Sequence, residues 1–387
     1  MVMFRLALVL LSFTVAGSAF AYPEYRVTVV GPANSWVYGM NNAGVVVGDY
    51  PVGGNLRRAF LNRGKGLVDL GALKGVQSAA TGINDRGEVI GNWLTADGRL
   101  RGFIYACGKA RDIGGIPGKS TGFSDINDAG YATAAATTPG SNELRGYLRA
   151  PNGSFTHLGA IPWDGNGDPM TSPAALNNRN QVAGYSGRFN SPEPGFRAFV
   201  WSRGTIRDLG DLGSTPNVAA AINDRGQITG QANLPVGPRD SVAFLYSNGR
   251  MTSLDTRPAT EYKYSAGHGI NNRGHVVGES VHLSGFIWRG KRMESLNALI
   301  APGSGWDIHY PVAINDAGQV AAVATRGGVS YAVRLDLIRP HASAVPALDA
   351  EAQAELLAFP ASPALDAALA KAEAQAQARE VVRPVAQ

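Results

Sequence analysis

The ten residues AINDRGQITG, 221–230, recur in near copy seven times, and no other feature of the chain limits its possible folds so strongly. Aligned on the asparagine, the copies fall at Asn41, Asn84, Asn127, Asn177, Asn223, Asn271 and Asn315, with spacings of 43, 43, 50, 46, 48 and 44 residues. Periods of this size belong to blades or helical arrays, in which each copy is one supersecondary unit. Inside a unit the apolar residues come in short β-branched or alternating runs interrupted by Gly, Asn and Asp, so nothing in it reads as an amphipathic helix. The fifth unit resolves into four strands, VAAAIN, QITGQAN, VAFLYS and MTSLD. Four short antiparallel strands per repeat predict an all-β, seven-bladed β-propeller over residues 22–336.

The repeated motif is a turn sequence. Asn and Asp side chains satisfy nearby backbone groups, and Gly accepts the positive φ that closes a hairpin between the first two strands of a blade. In the fourth unit Asn180 replaces that Gly, and Asn is the next most tolerant residue of the left-handed region. A small residue stands two before each motif asparagine, at Gly39, Gly82, Ala175, Ala221, Gly269 and Ala313, as suits a strand crowded around an axis; Asp125 is the exception. Third strands read RAFLN, RGFIY, RGYLR, RAFVW, VAFLY and SGFIW, which places Phe60, Phe103, Tyr147, Phe199, Phe244 and Phe286 in register as packing between successive sheets. The seventh unit lacks a fourth strand, whereas YRVTVVG at 25–31 stands before the first unit without a blade of its own. The N-terminal strand is therefore expected to complete the seventh blade and close the ring, which leaves no long unpaired edge.

The combination of INDRGEVIG, RAFVW and IRDLG resembles the bacterial extracellular HAF repeat family, named for a His-Ala-Phe triplet in the third strand. The resemblance runs from residue 25 to about 336, with Arg58, Arg101, Arg145 and Arg197 where the naming His would stand. It implies export and a propeller-like fold, and brings no reaction with it.

Export is also legible in residues 1–21, where Arg5, an apolar run from Leu6 to Val15 and the small-x-small end Ala19-Phe20-Ala21 form a secretory signal peptide with cleavage before Tyr22. The product is expected in the periplasm or outside the cell, with no transmembrane segment. The single cysteine, Cys107, excludes an internal disulfide, so the fold rests on packing. A monomer is expected, and Cys107, at a hairpin tip, offers a route to a disulfide-linked dimer. The basic residues are scattered rather than clustered, which gives a nucleic-acid partner little support despite a formal charge of +5. Residues 337–387 form an Ala- and Pro-rich tail, with Ser362-Pro363 as cap and first position of a helix over about 363–380.

In an antiparallel blade the Asn-Asp-x-Gly turns and the short third-to-fourth turns share one face. The longer, variable connections share the other, where binding is expected. That second face collects Trp93, Trp163, Arg188, Phe189, Arg239, Tyr262, Tyr264 and Trp306, aromatic and Arg side chains suited to a protein or a carbohydrate partner. In WDGNGDP, Asp164, Asn166 and Asp168 have the spacing of a calcium loop, but Pro169 and Ala175 occupy the positions of its turn Gly and bidentate Glu, which argues against calcium; no other cofactor is indicated. Asp125 and His268, on innermost strands of different blades, are the channel candidates for an acid/base pair. No converging nucleophile, base or metal cluster is legible, so binding is favoured. A polysaccharide lyase or hydrolase at the channel mouth, and a structural cell-surface protein, remain as alternatives.

Overall fold

A computed structural model of the chain describes residues 23–339, except 72, 139, 141–142, 163–168, 189–194, 236–239 and 259–260. The expected signal peptide, the expected helix over about 363–380, and Trp163, Asp164, Asn166, Asp168, Phe189 and Arg239 lie outside the described residues. The rest forms seven four-stranded antiparallel sheets arranged in a ring, an all-β seven-bladed propeller. Blade 1 shows the pattern: Trp36–Met40, Val46–Gly53, Leu56–Asn62 and Leu67–Gly71 run outward from the axis in sequence order. The innermost strands of the other blades are Gln77–Ile83, Ser120–Ile126, Met170–Leu176, Asn217–Ile222, Ser265–Ile270 and Trp306–Ile314. Among the described residues no helix is long and apolar enough to cross a membrane.

Closure occurs as the chain ends predict. Tyr25–Ala33 pairs antiparallel with Val329–Leu337, from Tyr25 opposite Leu337 onward, and forms the outermost strand of blade 7. Tyr25 is 2% exposed, and its hydroxyl donates to the Gly318 carbonyl at 3.1 Å.

Within blades the third-strand aromatics fill the interior, and Phe60, Phe103, Phe199, Phe244 and Phe286 are fully buried. Every innermost strand carries a β-bulge at the same place, with Tyr38, Thr81, Ser124, Ala174, Ala220, His268 and Val312 as the extra residues. The bulge pushes a carbonyl toward the second strand and explains the Gly that ends most copies of the motif. A Cβ on Gly91 would lie within 2.5 Å of both the Ala79 carbonyl oxygen and the Phe103 ring, so only a hydrogen fits there.

The motif turns adopt the expected geometry, with Gly44, Gly87, Gly130, Gly226, Gly274 and Gly318 at φ of 71–82° and Asn180 at 57°. They also join neighbouring blades, which a turn sequence alone does not imply. Each motif asparagine is 3–5% exposed, and its Nδ2 donates to the carbonyl of the corresponding asparagine in the next blade. The bonds run Asn41 to Asn84, Asn127, Asn177, Asn223, Asn271 and Asn315 at 2.8–3.1 Å, and Asn315 returns to Asn41 at 3.4 Å. The Oδ1 of each accepts the N–H four residues on, as from Gln227 to Asn223 at 2.9 Å, so one side chain closes its own turn and ties two blades together. A second ring encloses the axis one residue further along, where each N–H donates to the side-chain oxygen of the next blade, from Asn42 to Asp85 at 2.8 Å round to Asp316 and Asn42 at 2.9 Å.

Candidate functional site

The two mouths of the axial channel differ in chemistry. At the Asn-turn mouth a cavity is lined by the two rings together with Ile83, Ile126, Leu176, Ile222, Ile270 and Asp125. The polar groups here are largely committed to each other. Asn42 Nδ2 bonds Asp85 at 2.7 Å, Asn178 bonds Asp128 at 2.8 Å, and Asn272 bridges Asp224 and Asp316 at 3.2 and 3.1 Å. The motif repeats seven times, so this face is nearly uniform.

Asp125 breaks that uniformity. Its carboxylate accepts the N–H of Ile126 and of Leu176 in blade 4, both at 2.8 Å. Gly82 in blade 2 makes room for it, since a Cβ there would stand 3.0 Å from Asp125 Oδ1. Burial pushes its pKa up to about 6, against the opposing pull of those two N–H groups. A folded pKa above the unfolded one favours the protonated fold. The stabilisation is therefore complete below about pH 4 and is lost as pH rises through 6. Urea unfolding of the wild type at pH 4 and pH 7.5 is expected to show a loss of about 2–3 kcal/mol from this group, and Asp125→Asn to remove that part of the slope. Parallel pH dependences of the two chains would refute it.

Innermost strands run about 3.3 Å per residue and end at the Asn turn, so their first residues lie at the opposite, second-face mouth. Along the channel between that mouth and the Asn turns the seven blades diverge. In the bulge column, Thr81 and Ser124 donate to the carbonyls of Phe123 and Pro173 in the following blades at 3.0 Å, and His268 donates from Nδ1 to Pro311 in the same way at 2.9 Å. Ala174 and Ala220 leave that space empty of side chain, and Tyr38 donates instead to Asp49 at 3.3 Å. Two residues earlier the column reads Trp36, Ala79, Gly122, Ser172, Val218, Ala266 and Tyr310. Large side chains thus gather on blades 6, 7 and 1, opposite small ones on blades 2 to 5.

The large side chains touch one another. Trp36 meets Tyr310 edge-on at 6.0 Å, and Tyr310 lies 4.6 Å from the His268 ring. Glu279, on the second strand of blade 6, accepts the Tyr264 hydroxyl at 3.2 Å and faces His268 Nε2 at 4.0 Å. Burial lowers the His268 pKa, opposed by the Pro311 carbonyl and by Glu279, so the ring is neutral at pH 7. Burial raises the Tyr264 and Tyr310 hydroxyls, and Glu279 adds to both. Tyr38 is pushed up to about 12 by burial and then by Asp49, which Arg57 holds in an ion pair at 2.5 Å. Trp36 and Tyr38 nevertheless remain 43% and 42% exposed.

The residues expected to bind scatter relative to this corner. Tyr264 belongs to it, and Tyr262 stands beside it at 52% exposure. Trp306 opens the innermost strand of blade 7, half-buried between the edge of Tyr331 at 5.7 Å and the Arg326 guanidinium at 5.4 Å. Arg188 ends the second strand of blade 4, away from the corner. Trp93 packs inside the core of blades 1 and 2 with Arg101 over its ring, so it offers no ligand surface. Asp125 and His268 stand one strand position apart, two and three residues before their motif asparagines, and have separate hydrogen-bond partners, the Ile126 and Leu176 N–H groups for Asp125 and the Pro311 carbonyl for His268. Cys107 is exposed at its hairpin tip with φ of 50°. Among the described residues no group of three His, Cys, Asp or Glu side chains could hold a metal ion. Trp36, Tyr38, Glu279 and Tyr310 were missed in sequence, though a comparison of the bulge column across the seven repeats isolates Tyr38 and His268 as its two bulky polar members.

No protein-family model matches the chain, and no curated protein does. Solved structures do resemble it. YCF48 bound to D1 peptide has a TM-score of 0.51 at 13% identity, covering 83% of this chain and 98% of that one. The BP39L lectin from Burkholderia pseudomallei gives 0.47 at 10% identity, with 83% and 98% covered. The gluconolactonase XC5397 from Xanthomonas campestris gives 0.40 at 12%, with 81% and 90% covered. At 13% identity the likeness to YCF48 is one of fold alone, in keeping with the seven four-stranded blades of this chain.

Proposed function

We propose that this protein is an exported HAF-repeat propeller whose task is to bind a protein or carbohydrate partner at the second-face channel mouth. The observation that carries the reading is the contrast between the mouths. On the Asn-turn face the polar groups are bonded into two closed rings. On the second face exposed Trp36 and Tyr38 border half-buried Tyr310, Tyr264 and His268, an arrangement that costs solvation and contributes nothing comparable to blade packing. Aromatic rings with a few fixed polar groups beside them are the usual composition of an interface centre. The solved YCF48 structure, with its bound peptide, supports a peptide-bearing partner at the level of fold.

The test is an array of peptides and polysaccharides probed with the mature chain, scored for retention and for released product. Trp36→Ala is expected to weaken retention about 10- to 30-fold, with Arg225→Ala on the Asn-turn face unchanged. Equal retention by wild type and Trp36→Ala would move the site elsewhere, and product release would replace binding with catalysis.

A further inference from the structure

Carboxylates near the second-face ends of the blades are generally matched by a fixed cation. Arg57 pairs with Asp49 at 2.5 Å, and Arg257 with Asp255 at 2.5 Å. Glu279 is not. Its side chain is 27% exposed, and among the described residues no Lys or Arg lies within ion-pairing distance of it. Its nearest basic group is His268, at 4.0 Å, whose burial favours the neutral ring and whose tautomer is set by the Pro311 carbonyl. The Pro311 carbonyl can only accept, so Nδ1 carries the hydrogen. In the neutral ring Nε2 is then a bare acceptor, pointing at a second acceptor, Glu279 Oε1. Two acceptors facing one another across 4.0 Å favour a donor between them, preferably a charged one.

We propose that the corner formed by Glu279, His268, Tyr264 and Tyr310 receives a primary ammonium group, the Nζ of a lysine side chain on a protein partner. An ammonium nitrogen about 2.8 Å from both Glu279 Oε1 and His268 Nε2 would subtend about 90° between them, near enough to its tetrahedral N–H directions for two bonds. The Tyr310 ring, 4.6 Å from His268, and Trp36 beyond it line the approach with aromatic faces, which attract cations. Depth selects lysine over an amino sugar. The acceptors sit below Trp36 in the mouth, with His268 only 16% exposed, and a four-carbon stem reaches them where an amine fixed to a sugar ring stays level with the rim. This inference rests on the binding reading above and specifies its chemistry.

The experiment titrates Nα-acetyl-lysine N-methylamide, its Nε-acetylated form and glucosamine into the mature chain, followed by NMR shifts of the Tyr and His rings. The lysine probe is expected to bind with a dissociation constant of about 1 mM, as suits a ligand of its size, and the acetylated form at least 10-fold more weakly. Glu279→Gln keeps an acceptor for Tyr264 and the shape of the side chain, so it is expected to fold and to lose at least 10-fold. Tyr310→Leu is expected to lose several-fold. Equal binding of the lysine probe and its acetylated form, no saturable binding of the lysine probe, or wild-type affinity in Glu279→Gln would each overturn the proposal, and tighter binding of glucosamine would overturn the lysine assignment. Failure here alongside Trp36-dependent retention on the array would leave the broader binding reading standing.

Discussion

Asn223→Ala is expected to lower the unfolding free energy by about 2–4 kcal/mol in urea, while Arg225→Ala, two residues away in the same turn, changes it by less than about 0.5 kcal/mol. The asparagine Oδ1 accepts the N–H groups of Arg225 at 3.0 Å and Gln227 at 2.9 Å, and its Nδ2 reaches the Asn271 carbonyl of the next blade at 2.8 Å. Alanine leaves the part-buried Gln227 N–H without its acceptor and breaks one of seven bonds in a closed ring. An orphaned buried donor costs about 1–3 kcal/mol, and each lost bond about 0.5–1.5 kcal/mol. The ring account further predicts a gradient. Asn315 makes the longest of the seven bonds, 3.4 Å to Asn41, so Asn315→Ala should cost less than Asn223→Ala. Equal losses at both sites would mean that the motif is conserved along the chain for its turn alone.

The same motif shows what the sequence could and could not reveal. Blade number, strand positions, the positive φ at Asn180 and the buried third-strand phenylalanines all followed from local pattern, because each depends on residues within one repeat. The ring did not, because six of its bonds join residues 43 to 50 positions apart and the seventh spans 274, and a turn signal is satisfied whether or not a neighbouring blade is present. The binding corner was hidden for a related reason. Trp36, Tyr310, His268 and Glu279 come from three blades, and Trp36 joins the others only because closure sets blade 7 beside blade 1. Within a single repeat each resembles ordinary packing. Trp93 shows the opposite error, an aromatic near a strand end assigned to the surface that proves to be 5% exposed in the core. The alternation that places a residue on one side of a sheet does not say whether the next sheet covers it.

Removal of residues 23–33 is expected to leave a chain that fails to fold and aggregates on expression. The deleted strand supplies fully buried Tyr25 and Val30, each contributing about 1.5–3 kcal/mol by burial, and the Val30 carbonyl that accepts Asn62 Nδ2 at 2.7 Å. It also pairs with six residues of Val329–Leu337, which would otherwise present an open edge. Together these losses approach the whole stability of an ordinary domain. A deletion alone would not separate closure from the simple loss of apolar mass, but the geometry supplies the control. The Ile338 N–H donates to the Glu24 carbonyl at 2.8 Å, so the two ends of the propeller are adjacent. A circular permutant that joins residue 339 to residue 23 through a short Gly-Ser linker, and opens the chain at the exposed Cys107-Gly108 hairpin, keeps every strand while moving the break to a different blade. That permutant should fold with a melting temperature within a few degrees of the parent. If it aggregated as the deletion does, the position of the N-terminal strand in the chain, rather than its place in the ring, would be what folding requires.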